Sequence, residues 1–82
     1  MTEASLDVRG LNCPLPIFRT RKAMRDVPPG GLIEVLATDP LAPLDFASFC
    51  ETTGDELVES SEREGVFRFL IRRRSPDDMT KM

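Results

Sequence analysis

Cys13 is the residue of this 82-residue chain best placed to do chemistry, because Pro14-Leu15-Pro16 follows it directly. A proline at the first position of a helix loses no hydrogen bond, and a second proline still fits within the first turn. The run therefore predicts that Cys13 is the N-cap of a helix, with Pro14 first and Pro16 third in it. The positive helix end would then lower the pKa of the thiol moderately and favour the thiolate.

The composition limits what this thiol can do. The chain has no histidine, tyrosine or tryptophan and only two cysteines, Cys13 and Cys50. This excludes a Cys–His or Ser–His catalytic pair and any histidine-based metal site. The two cysteines lie far apart in the sequence and fit neither a CxxC motif nor a zinc framework. We therefore expect no metal and no cofactor, and a lone thiol that is not a self-sufficient catalyst.

Four basic residues of the predicted first helix follow the cysteine. They are Arg19, Arg21, Lys22 and Arg25. They could simply solvate an outer helix face. Alternatively, they could form a basic patch that contacts acidic partner proteins or tRNA phosphates, and the sequence leaves both interpretations open. The net charge of −3 argues against non-specific nucleic-acid binding by the whole surface.

Three further side chains with reactive groups have structural explanations. Cys50 shares one apolar helix face with Phe46 and Phe49, which predicts core packing rather than a resolving thiol. Asp39 and Asp45 flank the start of the second predicted helix. They are predicted as its N-cap and its first-turn acid rather than as catalytic carboxylates.

Hydrophobic periodicity and turn residues predict the order β-α-β-α-β-β. The predicted strands are residues 5–8, 32–37, 56–60 and 66–72, and the predicted helices are residues 14–26 and a segment from residue 42 or 43 to Gly54. The expected fold is an α/β (α+β) two-layer sandwich, with two helices on one face of a four-stranded mixed sheet. A right-handed crossover makes the first two strands parallel, and the last two form a hairpin.

The predicted core comes from both layers. The first helix is expected to bury Ile17, Phe18, Ala23, Met24 and Val27. On the last strand Phe67 and Phe69 alternate with Ile71, which predicts a core face rather than a base-stacking surface. One domain is expected over residues 1–72, followed by a polar, frayed tail over residues 73–82.

Residues 5–16, SLDVRGLNCPLP, resemble the first strand and the Cys-Pro-x-Pro signature of the TusA (SirA-like) sulfur-carrier family. The likeness continues through Arg21-Lys22, the Pro29-Gly30 turn and the corner at residues 37–40. It then includes residues 45–46, 49–50, 53–54, 56–57 and 69–72. It covers about residues 5–72, and the motif lies at the start of the first helix of a chain of suitable size and element order.

The resemblance implies that Cys13 accepts a sulfane sulfur as a persulfide from a cysteine desulfurase or a rhodanese-type donor. The sulfur would pass to an acceptor protein of tRNA 2-thiolation, sulfur oxidation or molybdenum-cofactor metabolism. Gly10, Pro14 and Pro16 would support the cysteine. The implied fold resembles the C-terminal domain of translation initiation factor three, with strand order 1-2-4-3.

The resemblance also bears on partner contacts. It favours Arg21 and Lys22 as partner-binding residues, with Arg19 and Arg25 beside them. Leu15 stands where a tRNA-thiolating member of the family has an acidic residue, so the acceptor stays open. Two alternatives remain: a small RNA-binding or regulatory module that uses the basic helix, and a redox-sensing thiol protein. With no signal peptide and no transmembrane segment in the sequence, the expected setting is the reducing cytoplasm.

Overall fold

Six elements follow one another along the chain in the predicted order, in a computed structural model that describes residues 2–75. They are β1 Thr2–Asp7, α1 Leu15–Met24, β2 Leu32–Ala37, α2 Ala42–Thr53, β3 Glu56–Arg63 and β4 Val66–Arg72. The prediction of β2 and β4 is confirmed residue for residue. The strand β3 is longer than predicted, and β1 begins earlier than predicted and ends at Asp7 rather than at Val8. The added residues were missed because they are mostly exposed and carry little hydrophobic pattern.

The four strands form one mixed sheet in the order β1-β2-β4-β3. The strand β1 runs parallel to β2, with Leu6 opposite Val35, and β4 runs antiparallel to both β2 and β3. This confirms the predicted two-layer fold and its strand order. Because β1 and β2 are parallel, the segments that leave their carboxyl ends emerge at the same edge of the sheet.

The core lies between the sheet and the two helices. Ile33, Val35 and Ala37 are fully buried on β2, and Phe46 of α2 stacks on Phe69 of β4 with ring centroids 4.6 Å apart. Phe69 and Ile71 are buried and Phe67 packs against the core, as the alternation predicted. Further buried apolar side chains are Val8, Met24, Val27, Ala42, Phe49 and Cys50.

One core prediction is wrong: the side chain of Phe18 is 57% exposed. The buried stripe of α1 consists of Pro16, Thr20 and Met24, which are spaced four residues apart. At about 100° per residue, Phe18 lies about 200° around the helix from Thr20 and therefore faces away from the sheet. The Thr20 hydroxyl donates a hydrogen bond of 2.8 Å to the carbonyl of Pro16, so its burial leaves no unpaired group.

The predicted tail begins with residues that the fold holds. The backbone N–H of Arg73 donates to the Gly31 carbonyl at 2.9 Å, and that of Arg74 donates to an Asp55 carboxylate oxygen at 2.8 Å. Arg73 also donates a side-chain hydrogen bond to the Val27 carbonyl. Residues 76–82 lie outside the described residues, so the domain boundary after residue 72 stays a prediction.

Candidate functional site

Cys13 lies in the segment that joins β1 to α1. The N-cap of α1 is Pro14, without a side-chain capping hydrogen bond, and the helix begins at Leu15. The prediction that Cys13 is the N-cap is therefore wrong by one residue, and Pro16 is the second helical residue rather than the third. A turn closes first, because the Leu15 N–H donates to the Asn12 carbonyl at 2.9 Å.

Asp39 fixes the backbone of Cys13. Its carboxylate accepts the Cys13 N–H at 2.6 Å through one oxygen and the Leu41 N–H at 3.1 Å through the other. The side chain is 8% exposed, so one buried carboxylate joins the starts of both helices. The predicted N-cap role of Asp39 is wrong: Leu41 is the N-cap of α2, because a turn closed by the Ala42 N–H and the Asp39 carbonyl comes first.

Gly10 supports the same segment from its other side. Its φ of 83° lies in the left-handed region, which glycine adopts without steric cost. Its N–H donates a hydrogen bond of 2.8 Å to the hydroxyl of Thr38, just after β2. The segment that carries Cys13 is thus held twice, through Gly10 and through Cys13 itself, to the connection between β2 and α2.

The thiol opens into a groove of about 250 Å³ between α1 and α2. Cys13 itself is exposed and forms no disulfide. The groove is lined on the α1 side by Cys13, Pro14, Ile17 and Arg21, and on the α2 side by Asp45, Ser48, Phe49 and Thr52. The sulfur atom of Cys13 is therefore accessible to a second protein that reaches the groove.

The pKa of the Cys13 thiol is raised above its ordinary value, contrary to the prediction of a lowered one. The largest cause is a hydrogen bond with the Asp45 carboxylate, followed by partial desolvation and by the negative charges of Asp45 and Asp39. The helix N-terminus offers little compensation, because Pro16 has no N–H and the N–H of Leu15 is already bonded. Asp45 is in the first turn of α2, as predicted.

The structure divides the predicted basic patch. Arg21 lines the groove beside Cys13. Arg19 and Lys22 instead line a separate concave surface of about 670 Å³, together with Leu6, Phe18, Ala23 and Asp26. Arg25 is the C-cap of α1, at the end of the helix away from Cys13. Of the four predicted basic residues, only Arg21 shares a surface with the cysteine.

The sequence analysis did not predict that Asp45 acts on the Cys13 thiol. A signal for it exists in the topology: Cys13 follows β1, and Asp39 and Asp45 follow β2. Because β1 and β2 are parallel, the chain segments after both strands meet at one edge of the sheet. The element order alone would have predicted that these carboxylates lie near the cysteine.

Two other kinds of feature are absent from the described residues, a metal-binding cluster and a membrane-spanning helix. Within residues 2–75, no group of three or more histidine, cysteine, aspartate or glutamate side chains could hold a metal ion. In the same part of the chain, no helix is long and apolar enough to cross a membrane.

The fold and the site define a class of protein: a small α+β sandwich that presents one accessible thiol between the starts of its two helices. A solved structure of a SirA-like protein from Desulfitobacterium hafniense has the same fold. Its TM-score is 0.76 at 24% sequence identity, over 88% of this chain and 99% of that one.

Comparisons of sequence identify the family. The family model described as sulfurtransferase TusA matches residues 4–73. The sulfur carrier protein TusA of Allochromatium vinosum is 46% identical over 87% of this chain and 93% of its own length. The protein of the same name from Pseudomonas paraeruginosa is 44% identical over 89% of this chain and 92% of its own length. The chain belongs to the TusA family.

Proposed function

We propose that the chain is a sulfur carrier that holds a sulfane sulfur as a persulfide on Cys13. The observation that carries the proposal is the exposed Cys13 thiol, which opens into a groove that a second protein can reach. The names of the relatives support the proposal, since they are called sulfur carriers. The proposed donor is a cysteine desulfurase or a rhodanese-type protein.

The proposed loading step is a thiolate–persulfide exchange. The Cys13 sulfur attacks the outer sulfur of the donor persulfide and forms a new S–S bond. The bond between the two donor sulfurs breaks, and the inner donor sulfur leaves as a thiolate that takes up the proton lost by Cys13. Nothing is oxidised or reduced overall. Delivery to an acceptor is the same exchange with the carrier as the donor, so the chain needs no cofactor for either step.

Cys50 does not compete for this role. It is buried among the core residues of α2, and burial followed by the charge of Asp55 raises its pKa to about 11. A thiol without access and almost fully protonated at neutral pH neither attacks a donor nor presents sulfur to an acceptor. The proposal therefore assigns carriage to Cys13 alone.

The partner contacts belong to the proposal as well. Arg21 lines the groove with Cys13, so we propose that it contacts a partner that reaches the Cys13 sulfur. Lys22, Arg19 and Arg25 would contact more distant parts of a docked protein. Pro14 and Pro16 would hold the sulfur in one orientation for successive partners. We propose a reducing compartment, the cytoplasm, as the setting, and tRNA 2-thiolation, sulfur oxidation or molybdenum-cofactor metabolism as the pathways that could receive the sulfur.

Intact-mass measurement tests the proposal. The protein is incubated with a cysteine desulfurase and cysteine, and then with reductant. We expect a gain of one sulfur atom that reductant reverses. The gain should be absent in Cys13→Ser and retained in Cys50→Ala, which controls for the other thiol.

Three results would count against the carrier. No added sulfur from several competent donors, desulfurase and rhodanese-type, would exclude it. Binding of RNA that Cys13→Ser leaves unchanged, without any sulfur gain, would favour an RNA-binding module. Oxidation of Cys13 by peroxide, again without sulfur gain, would favour a redox-sensing protein.

A further inference from the structure

The two carboxylates near Cys13 are engaged differently. Both oxygens of Asp39 accept backbone N–H groups, from Cys13 and from Leu41, so its role is to hold the chain. Asp45 instead lines the groove from the α2 side, opposite the thiol, and its carboxylate is the largest cause of the raised pKa of Cys13. Within residues 2–75 it forms no ion pair. Its charge is therefore free to act on the sulfur.

The charged groups that face the sulfur come from each element around the groove. Arg21 projects from α1, Asp45 from α2, and Asp39 from the segment before α2, while Ser48 and Thr52 are neutral. The two carboxylates disfavour a sulfur anion. Arg21 lines the groove but makes no ion pair with either carboxylate.

We propose that Asp45 is a positioning residue that keeps the unloaded Cys13 thiol protonated and directed into the groove until a cationic side chain of a docking partner neutralises its carboxylate. This inference rests on the proposed carrier function and deepens it. The groove presents a carboxylate from α2 and a guanidinium from α1. A complementary partner therefore places a lysine or arginine opposite Asp45 and a carboxylate opposite Arg21.

Such control has a physical purpose in a carrier whose sulfur is exposed. An exposed thiolate reacts with any oxidant or electrophile in solution, whereas a protonated thiol is nearly inert. Holding the proton until a partner cation arrives restricts the exchange to proteins that fit the groove. On loading, the thiol proton passes to the leaving donor thiolate, so the exchange stays balanced.

The pH profile of Cys13 alkylation by iodoacetamide tests the first half of the proposal, with peptide mapping to read Cys13 separately from Cys50. In Asp45→Asn the midpoint should move to lower pH. A unit charge about 4 Å from the sulfur changes the thiolate population by roughly fivefold in water. Each thiolate becomes less nucleophilic as its pKa falls, so the rate at neutral pH should rise only about twofold.

Glu51→Gln is the matched control, because it removes one negative charge from an exposed position on the same helix, outside the groove. Its profile should coincide with that of the wild type, and Asp45→Glu should restore the wild-type midpoint at least in part. An unchanged profile in Asp45→Asn would overturn the proposal. An equal shift in Glu51→Gln would do the same, since the effect would then be one of net charge.

The rates at which Cys13 takes up sulfur test the second half of the proposal, that a docked partner neutralises the Asp45 carboxylate. Glutathione persulfide loads Cys13 without docking, whereas a cysteine desulfurase must reach the groove. Asp45→Asn should speed loading from glutathione persulfide about twofold. Loading from the desulfurase should be as fast in Asp45→Asn as in the wild type, or slower. If Asp45→Asn accelerated both loading reactions equally, docking would not neutralise Asp45, and the second half of the proposal would be overturned.

These measurements separate the two proposals. If the alkylation profile shifts in Asp45→Asn but the protein takes sulfur from no donor, the carrier function is refuted. The effect of Asp45 on the Cys13 thiol is then still supported. Normal sulfur loading with an unchanged profile in Asp45→Asn would refute the role of Asp45 and leave the carrier function.

Discussion

Cys13 and Cys50 are the same chemical group in two regions of one small protein, and the pKa of both is raised. The causes differ. At Cys13 a hydrogen bond with Asp45 is the largest cause, and the site is open. At Cys50 burial is the largest cause, and only opening of the core could remove it. A thiol restrained by a neighbouring charge can be released by a partner, whereas a thiol restrained by burial cannot.

The largest expected effect is the difference in reactivity between the two thiols of the folded protein. Cys13 should react with iodoacetamide at least about a hundredfold faster than Cys50, because Cys50 must wait for local or global opening of the core. Peptide mapping after timed alkylation in native buffer measures both rates in one sample. In denaturant the two rates should become nearly equal.

The opposite pattern would contradict the comparison. If Cys50 reacted at a rate near that of Cys13 in native buffer, the end of α2 would open readily. Burial would then not protect the Cys50 thiol from reaction. Cys13→Ser serves as the control, because it removes the fast reaction and leaves the slow one to be measured alone.

The next largest effect concerns Asp39, which places Cys13 where Asp45 can act on it. Asp39→Ala removes one buried acceptor and leaves the N–H groups of Cys13 and Leu41 without their partner. We expect a loss of about 3 kcal/mol in the free energy of unfolding, since hydrogen bonds to a charged group contribute about 1.5–3 kcal/mol each and water replaces part of them. Urea unfolding followed by circular dichroism measures the loss.

Asp26→Ala is the control for Asp39→Ala, since Asp26 is exposed near the other end of α1. Its effect should stay within about 0.5 kcal/mol. An Asp39→Ala protein as stable as the wild type would show that the two helix starts do not depend on this carboxylate, and that the restraint on Cys13 comes from elsewhere.

How far the sequence predicts this molecule differs between the fold and the site. Alternating or continuous apolar runs predicted β2 and β4 fully, because their side chains meet the core directly. The exposure of Phe18 was not predictable from composition of the helix alone, because it depends on which stripe packs against the sheet. The burial of Thr20, paired to a backbone carbonyl, decides that stripe.

The position of Cys13 near a helix start was predicted from the sequence, and the charges around it were not. The two prolines after Cys13 indicated the helix start, and the family resemblance implied the sulfur chemistry that stays a proposal for this residue. The pKa prediction had the wrong direction because it considered only the helix that follows Cys13. The carboxylate of Asp45 comes from the next helix, and its effect appears only when the parallel strands bring the two helix starts together.

The smallest expected effect is a dependence of stability on alkaline pH that should come mainly from Cys50. Its folded pKa of about 11 exceeds the ordinary 9.0, so between these values the unfolded chain loses a proton that the folded chain keeps. The free energy of unfolding should therefore be unaffected below pH 9 and fall as the pH rises towards 11. Thermal unfolding across that range measures it.

Comparison of variants shows which cysteine causes the loss of stability at alkaline pH. Cys50→Ala should flatten the decline between pH 9 and 11. Cys13→Ser should flatten it less, because the Cys13 thiol is exposed and solvent screens its contacts. A decline that Cys50→Ala leaves unchanged, or one that Cys13→Ser abolishes, would reverse the assignment. The exposed thiol would then couple to folding more strongly than the buried one, and release of its proton by a partner would cost the carrier stability.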